Sequence, residues 1–399
     1  MSQFKMLDGN SAAVEAIIQA RPKVIAAYPI TPQTSISEKL SEAVANKKLD
    51  ANFIRVESEH TALSVVQGAM LTGVRAATAT SSVGLALMHE IVCAVSGVRL
   101  PVVMPVVNRS LASPWSLWCD HQDTMAERDS GWMQFYCENV QDVYDLILCA
   151  YRIAENTKVL TPAMICLDGF FLSHSMQKIL VEKQEDIDDF LGSYIRKNMY
   201  LDTKDPLVIN NLTPTADNME MRYQQLVGMQ EAEKVIEDVF KDYNNKFNRE
   251  HHLVEGYKTK DADLIVVSLG SSSGTAKTAV DRMRSKGIKA GALKITCYRP
   301  FPYLQVQQAL GNAKKVAVLE RVGNIGSQFG PLYMDICAAM QGQKLVICDY
   351  IAGLAGRDIS VNTFNELFQN LNENEKSGTM KWLDLREDAM EVRRYRFNV

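Results

Sequence analysis

Short apolar runs recur along this chain, and most are followed by a stretch with helical spacing. Val24 to Tyr28, Val74 to Thr80, Leu100 to Val107 and Ala163 to Leu167 read as buried strands. Ser11 to Ala20, Ser35 to Leu49, Ala62 to Leu71 and Val140 to Asn156 instead place apolar residues on one face of a helix. Strands alternating with helices predict an α/β chain with a doubly wound, mostly parallel sheet. A second α/β unit begins at Asp261. It has strands at Leu264 to Leu269, Ala290 to Ile295 and Lys315 to Glu320, and helices at Thr275 to Lys286 and Pro331 to Met340.

Between the two units, from about Lys178 to Phe247, charged and amide residues increase. Gln224 to Phe247 reads there as one long exposed helix. This segment is expected to be a connector that packs over another surface. The expected division is residues 1–250, with the connector from about 178, and residues 251–399. The tail beyond Ser360 reads as mainly helical and ends in a basic, polar arm. A chain of 399 residues is long enough for two such domains, each burying its own core.

The net charge of −4 gives no electrostatic reason to expect nucleic acid or an anionic membrane as partner. Met1 to Met6 carry no apolar signal segment, and the longest apolar stretch, Val83 to Val98, is broken by Gly84, His89, Glu90 and Gly97. A cytoplasmic, membrane-free protein is expected. The eight cysteines form no C-x-x-C pair, which argues against zinc or an iron–sulfur cluster in this chain. They are expected to be reduced thiols packed as small hydrophobes.

Several residues stand where chemistry can occur. Tyr28-Pro29-Ile30-Thr31-Pro32 closes a strand, and its two prolines stiffen the backbone. Glu59, in Glu57-Ser58-Glu59-His60, lies at a strand-to-helix junction. It either faces a ligand or simply favours the positive end of the helix dipole. Arg109 directly follows an apolar strand. Its guanidinium either holds a carboxylate through two parallel hydrogen bonds or pairs with Asp120, Asp123 or Glu127. The turn Gly270 to Gly274 either cradles an anion or is a tight structural or interface turn, and it lacks the spacing of a dinucleotide or P-loop site. Asp168-Gly169 is half of a metal–diphosphate motif without its downstream asparagines, so it reads as structural. His121 and His174 read as structural too, with acid–base work as the alternative.

Taken in order, Tyr28 to Pro32, Glu57 to His60, Val107-Asn108-Arg109, Asp120-His121-Gln122-Asp123, Leu167-Asp168-Gly169-Phe170, Arg299-Pro300-Phe301-Pro302 and Glu320-Arg321 closely resemble the α subunits of the pyruvate:ferredoxin oxidoreductase family. The resemblance spans essentially the whole chain. It implies a pyrimidine-binding domain of the thiamine diphosphate enzymes followed by a transketolase-C-like domain. It also implies oxidation of a 2-oxoacid with coenzyme A and ferredoxin, in a complex with β, γ and δ subunits. Magnesium, the diphosphate site and the [4Fe-4S] clusters would lie in those partners, so no metal ligand is assigned here and the chain would be inactive alone. By position, Glu59 corresponds to the catalytic carboxylate on N1′ of the aminopyrimidine. Thr31 and Arg109 correspond to the substrate-binding residues, and Tyr28, Pro29 and Ile30 to the wall beside the cofactor. A relative that acts on oxalate has arginine at the place of Thr31, so threonine implies a monocarboxylate such as pyruvate. A 2-oxoglutarate or branched-chain 2-oxoacid is the alternative. His60 replaces a small residue of some members, and the loop Asp120 to Asp129 receives no roles.

Overall fold

A computed structural model describes residues 2–194, 200–386 and 388–390. Its strands in chain order are β1 (Gln3–Leu7), β2 (Val24–Ala27), β3 (Asn52–Arg55), β4 (Ala76–Ala77), β5 (Val103–Asn108), β6 (Met133–Tyr136), β7 (Ala163–Asp168), β8 (Gln177–Val181), β9 (Val254–Tyr257), β10 (Leu264–Ser268), β11 (Ala290–Ile295), β12 (Cys297–Arg299), β13 (Lys315–Glu320), β14 (Val346–Ile351) and β15 (Thr379–Trp382).

Two groups of strands, β3-β2-β4 and β5-β7-β6-β12, make the first sheet. Thr80 joins them: its N–H donates to the Pro105 carbonyl at 3.2 Å, and its own carbonyl accepts from Val107 N–H at 3.0 Å. All pairs are parallel except β12 with β6. β5 and β7 are buried along their whole length, which is why they read as unbroken apolar runs. The second sheet runs β15-β14-β13-β10-β11-β9 and is parallel apart from β9. The α/β class and the mostly parallel sheets agree with the sequence reading.

Helix starts follow their caps. Ser58 accepts from Thr61 N–H ahead of helix Glu59–Leu71, Asn139 accepts from Asp142 N–H ahead of Val140–Ala154, and Ser360 with Thr363 forms a capping box ahead of Val361–Glu373.

The structure departs from expectation in three places. First, the connector opens with regular elements that the sequence reading did not assign: β8 pairs antiparallel with β1, and helix Gln184–Leu191 follows. Second, the long helix begins earlier, at Asn218, and only its first half is exposed, with Met219 at 80% and Tyr223 at 63%. Its second half buries Val235, Ile236, Val239, Phe240, Tyr243 and Phe247 in the core of the first unit. A buried anchor holds it there. Asp145 accepts from Tyr243 Oη at 2.7 Å, from Arg249 Nε at 3.1 Å and from His251 Nε2 at 2.9 Å. Third, the tail contributes β15 as well as a helix. The basic arm after residue 390 lies outside the described residues.

β12, although it comes from the later half of the chain, completes the first sheet. One apolar cluster also runs from Ala26 and Leu63 through Tyr136 to Tyr298, Val318 and Leu332, so the two units share a core. Among the described residues no helix is long and apolar enough to cross a membrane. Six of the eight cysteines are buried, while Cys93 and Cys337 are half-buried.

If the second half of the long helix belongs to the core, Phe240→Ala should cost about 3–5 kcal/mol in urea unfolding, through lost burial and a cavity. Met219→Ser, on the exposed half, should change stability by less than about 0.5 kcal/mol. Equal effects would contradict this packing.

Candidate active site

The parallel strands of the first sheet end on one edge, and the residues singled out by sequence gather there. Tyr28 to Pro32 follow β2. Asn10, from helix Gly9–Ala20, donates Nδ2 to the Pro32 carbonyl at 2.8 Å and so holds this turn. Glu59 opens its helix after β3 and is 7% exposed. Its carboxylate has no hydrogen-bond or ion-pair partner among the described residues. Gly84 lies against it: a Cβ there would fall 2.6 Å from Glu59 Oε1 and 2.8 Å from Cγ. The glycine in helix Ser82–Leu87 is therefore the space that the glutamate occupies.

Arg109 follows β5 and is 4% exposed. It forms no ion pair among the described residues, although Asp120, Asp123 and Glu127 are all nearby in sequence. Instead Nη1 donates to the Thr31 carbonyl at 2.8 Å and Nε to the Ser116 carbonyl at 3.1 Å. Two neutral acceptors orient the guanidinium and leave its charge uncancelled, with Nη2 unused among the described residues. Burial pushes its pKa down, while the charges of Asp123 and Glu59 pull it back up. The structure thus brings Thr31, Glu59 and Arg109 to one edge, with the Thr31 side chain exposed. Tyr28, 38% exposed, lies on the loop that carries Thr31.

The group that organises this edge is Asp123, which sequence reasoning offered only as one possible ion-pair partner of Arg109. Oδ1 accepts from Asn108 Nδ2 and Thr124 N–H, both at 2.8 Å, and Oδ2 accepts from the N–H groups of Ser82 and Arg109, both at 3.0 Å. One carboxylate thereby fixes the start of the Gly84 helix relative to Arg109. Burial pushes its pKa up to about 6 against the pull of those bonds. Three of the four donors are main-chain amides, which leave no mark on residue type. Only the glycine at position 84, inside a helical stretch, hinted at a close approach.

Asp168, at the end of β7, is buried and structural. It accepts from His121 Nε2 at 2.7 Å, Arg321 Nη1 at 2.6 Å, Ser271 N–H at 3.1 Å and the Ser271 hydroxyl. Burial would raise its pKa, but Arg321 and His121 hold it well below the usual carboxylate range. The Gly270 turn is therefore an interface turn, and the anion at its helix start is Asp168 itself. Gly270 has φ +67°, and a Cβ there would sit 3.0 Å from Asp168 Oδ1. Cys119, His121 and Asp168 lie close enough to share a metal ion, but Arg321 already supplies Asp168 with its counter-charge. His174 is exposed, away from this cluster, and takes a hydrogen bond with Ser173 Oγ at 2.7 Å.

Comparison with known proteins matches the chain to a family. The profile described as "Pyruvate flavodoxin/ferredoxin oxidoreductase, thiamine diP-bdg" matches residues 15–241, and "Pyruvate:ferredoxin oxidoreductase core domain II" matches residues 262–364. The chain is 46% identical over 388 residues to pyruvate synthase subunit PorA of Pyrococcus furiosus, covering 96% of this chain and 98% of the relative. It is 41% identical over 381 residues to ketoisovalerate oxidoreductase subunit VorA of Pyrococcus abyssi, covering 94% and 95%. Its fold resembles 2-oxoglutarate:ferredoxin oxidoreductase from Magnetococcus marinus at a TM-score of 0.70 and 20% identity. That match covers 92% of this chain and 65% of the larger protein.

Because the folded pKa of Asp168 lies below the ordinary aspartate value near 4, its stabilisation is present above that pH and lost as pH falls. Asp168→Asn should cost about 3–5 kcal/mol at neutral pH by leaving Arg321 buried without its partner. The deficit should shrink below about pH 4, as the wild-type advantage disappears. Urea unfolding at both pH values checks this, and a deficit that grows in acid would refute the assignment.

Proposed function

The chain belongs to the pyruvate:ferredoxin oxidoreductase family, and on that premise we propose that its first sheet carries the pyrimidine-facing half of a thiamine diphosphate site that oxidises pyruvate. The observation that carries this reading is the carboxylate of Glu59. It is nine-tenths buried and unpartnered among the described residues, and the contact with Gly84 holds it in place. Such a group fits a ring nitrogen that brings its own hydrogen. When bound, thiamine diphosphate supplies the carbanion chemistry by which a 2-oxoacid loses carbon dioxide. Glu59 holds and exchanges a proton at N1′ of the aminopyrimidine. Arg109, oriented by the Thr31 and Ser116 carbonyls, pairs with the substrate carboxylate, and Thr31 donates its hydroxyl to the substrate. Tyr28, Pro29 and Ile30 form the wall beside the cofactor.

The rest of the site comes from other chains. The diphosphate, magnesium and [4Fe-4S] clusters are assigned to β and δ partners. A γ subunit completes the complex, coenzyme A accepts the acyl group and ferredoxin takes the electrons. The carboxyl edge of the second sheet is committed to Asp168, which supports an active site completed by another subunit. A branched-chain 2-oxoacid is the second reading, since the identity to VorA is nearly that to PorA. Turnover of the purified complex on pyruvate, 3-methyl-2-oxobutanoate and 2-oxoglutarate separates these substrates.

In the assembled complex, Glu59→Gln should nearly abolish turnover while the subunits still associate. Gly84→Ala should lower kcat by about 100-fold, because a displacement of about 1 Å at the reacting groups is enough for that. Arg109→Ala should mainly raise KM for the 2-oxoacid. Wild-type kinetics in the Glu59 variant would sink the assignment, and an unchanged KM would remove Arg109 from the substrate.

A further inference from the structure

A second cluster with chemical capacity lies away from Glu59 and Arg109. Helix His89–Gly97 carries Cys93 one turn after His89, and Cys93 Sγ is 3.8 Å from His89 Nε2. The other ring nitrogen, Nδ1, lies 2.9 Å from both carboxylate oxygens of Glu127. Glu127 follows a different helix, Gln122–Ala126, and its side chain is 3% exposed. A carboxylate only accepts, so Nδ1 carries the proton and the lone pair of Nε2 faces the thiol. Nucleophile, base and a buried orienting carboxylate are thus aligned.

We propose that Cys93 is a reactive thiol that His89 activates for exchange with small anionic disulfides. A cavity of about 450 Å³ opens on Cys93. Leu207, Val208 and Met221 supply its apolar wall, and Asn210, Gln225 and Arg222 its polar one. The Arg222 guanidinium donates to Gln225 Oε1 at 3.1 Å and forms no ion pair among the described residues, so its charge is available to an anion. Only His89 Nε2 and Cys93 Sγ face one another, because Nδ1 is committed to Glu127. Two donors are too few for a metal centre, which favours thiol chemistry.

Burial and Glu127 push the Cys93 thiol up, partly offset by Arg222. At rest the sulfur is protonated, and its reactivity depends on the base beside it. In the exchange, His89 Nε2 takes the proton from Sγ and the sulfur attacks one sulfur of the disulfide. The disulfide bond breaks as the new bond to Cys93 forms, and the departing thiolate takes the proton from the imidazolium. Cys93 is oxidised to a mixed disulfide, and half of the incoming disulfide is reduced to a thiol.

The chain contains its own control. Cys337 is also half-buried, and among the described residues no imidazole pairs with it: its thiol interacts with Tyr333. The native full-length chain is treated with the dianionic disulfide 5,5′-dithiobis(2-nitrobenzoate) near neutral pH, and each cysteine is followed by peptide mass mapping. Cys93 should react at least about tenfold faster than Cys337, a modest share of what general base catalysis supplies. His89→Gln, at a side chain 59% exposed and therefore safe for folding, should remove that advantage and leave Cys337 unchanged. Arg222→Ala should slow the anionic disulfide but not the neutral 2,2′-dithiodipyridine. Equal rates at the two cysteines, or no effect of His89→Gln, would overturn the proposal. An Arg222→Ala effect that is absent or the same for both disulfides would overturn its preference for anions.

Discussion

The carboxylate of Asp168 is the point at which the two sheets hold one another. It lies at the carboxyl end of β7, while its partners Ser271 and Arg321 follow β10 and β13 of the second sheet. The carboxyl edges of the two sheets therefore face each other across one buried anion. Removing a carboxylate from water costs several kcal/mol, and this one is offset by a guanidinium, an imidazole, a hydroxyl and a backbone amide. The chain on either side conforms to it. Gly270 takes a left-handed backbone so that the turn can reach Asp168, and His121 N–H donates to the Arg321 carbonyl at 2.9 Å.

This joint decides where chemistry can occur. In open α/β sheets ligands bind beyond the carboxyl ends of the strands. Here the second sheet spends that edge on Asp168, and the first sheet loses the end of β7 as well. The edge over β2 to β5 remains, and it carries Thr31, Glu59 and Arg109. Asp123 connects the groups of this edge through Ser82, Asn108 and the Arg109 amide. The segment that leads to Asp123 is itself held by the second unit, since Asp120 accepts from Ala355 N–H at 3.3 Å and the Cys119 carbonyl accepts from Gly356 N–H at 2.7 Å. The joint and the site are therefore mechanically one piece.

How much of this was legible in the sequence follows from the range of each interaction. β5, β7, β10 and β13 were plain because a strand buried on both faces is apolar throughout. β12 was not, since three residues before a proline have no period and its partner β6 lies far back in the chain. The buried half of the long helix was hidden by its polar average, although Phe240, Tyr243 and Phe247 share one face. At the site, Glu59 and Arg109 were visible as charges placed at strand ends, but their competing structural roles were open. What removed the ion-pair reading for Arg109 was the pair of main-chain carbonyls that hold it, and no residue type announces a carbonyl. The organising role of Asp123 was hidden in the same way, since most of its donors are main-chain amides. The Gly270 turn was correctly suspected of being an interface, yet its anion could not be named before the fold brought position 168 beside it.

Glu59 and Arg109 differ energetically from several other buried charges. Asp145, Asp168 and Lys294 are each surrounded by opposite charge or by several hydrogen bonds. Glu59 has lost most of its water and gained no partner among the described residues, and Arg109 faces neutral carbonyls although the charges of Asp123 and Glu59 act on it. A chain selected only to fold would relieve both, with glutamine at one position and a slight turn toward Asp123 at the other. Gly84 and Asp123 instead hold the two groups apart and unsatisfied. On the proposed reading, the stabilisation withheld in the isolated chain remains available to a ligand that brings a hydrogen to Glu59 and a carboxylate to Arg109, so that two apparent defects of the fold become half of the proposed site.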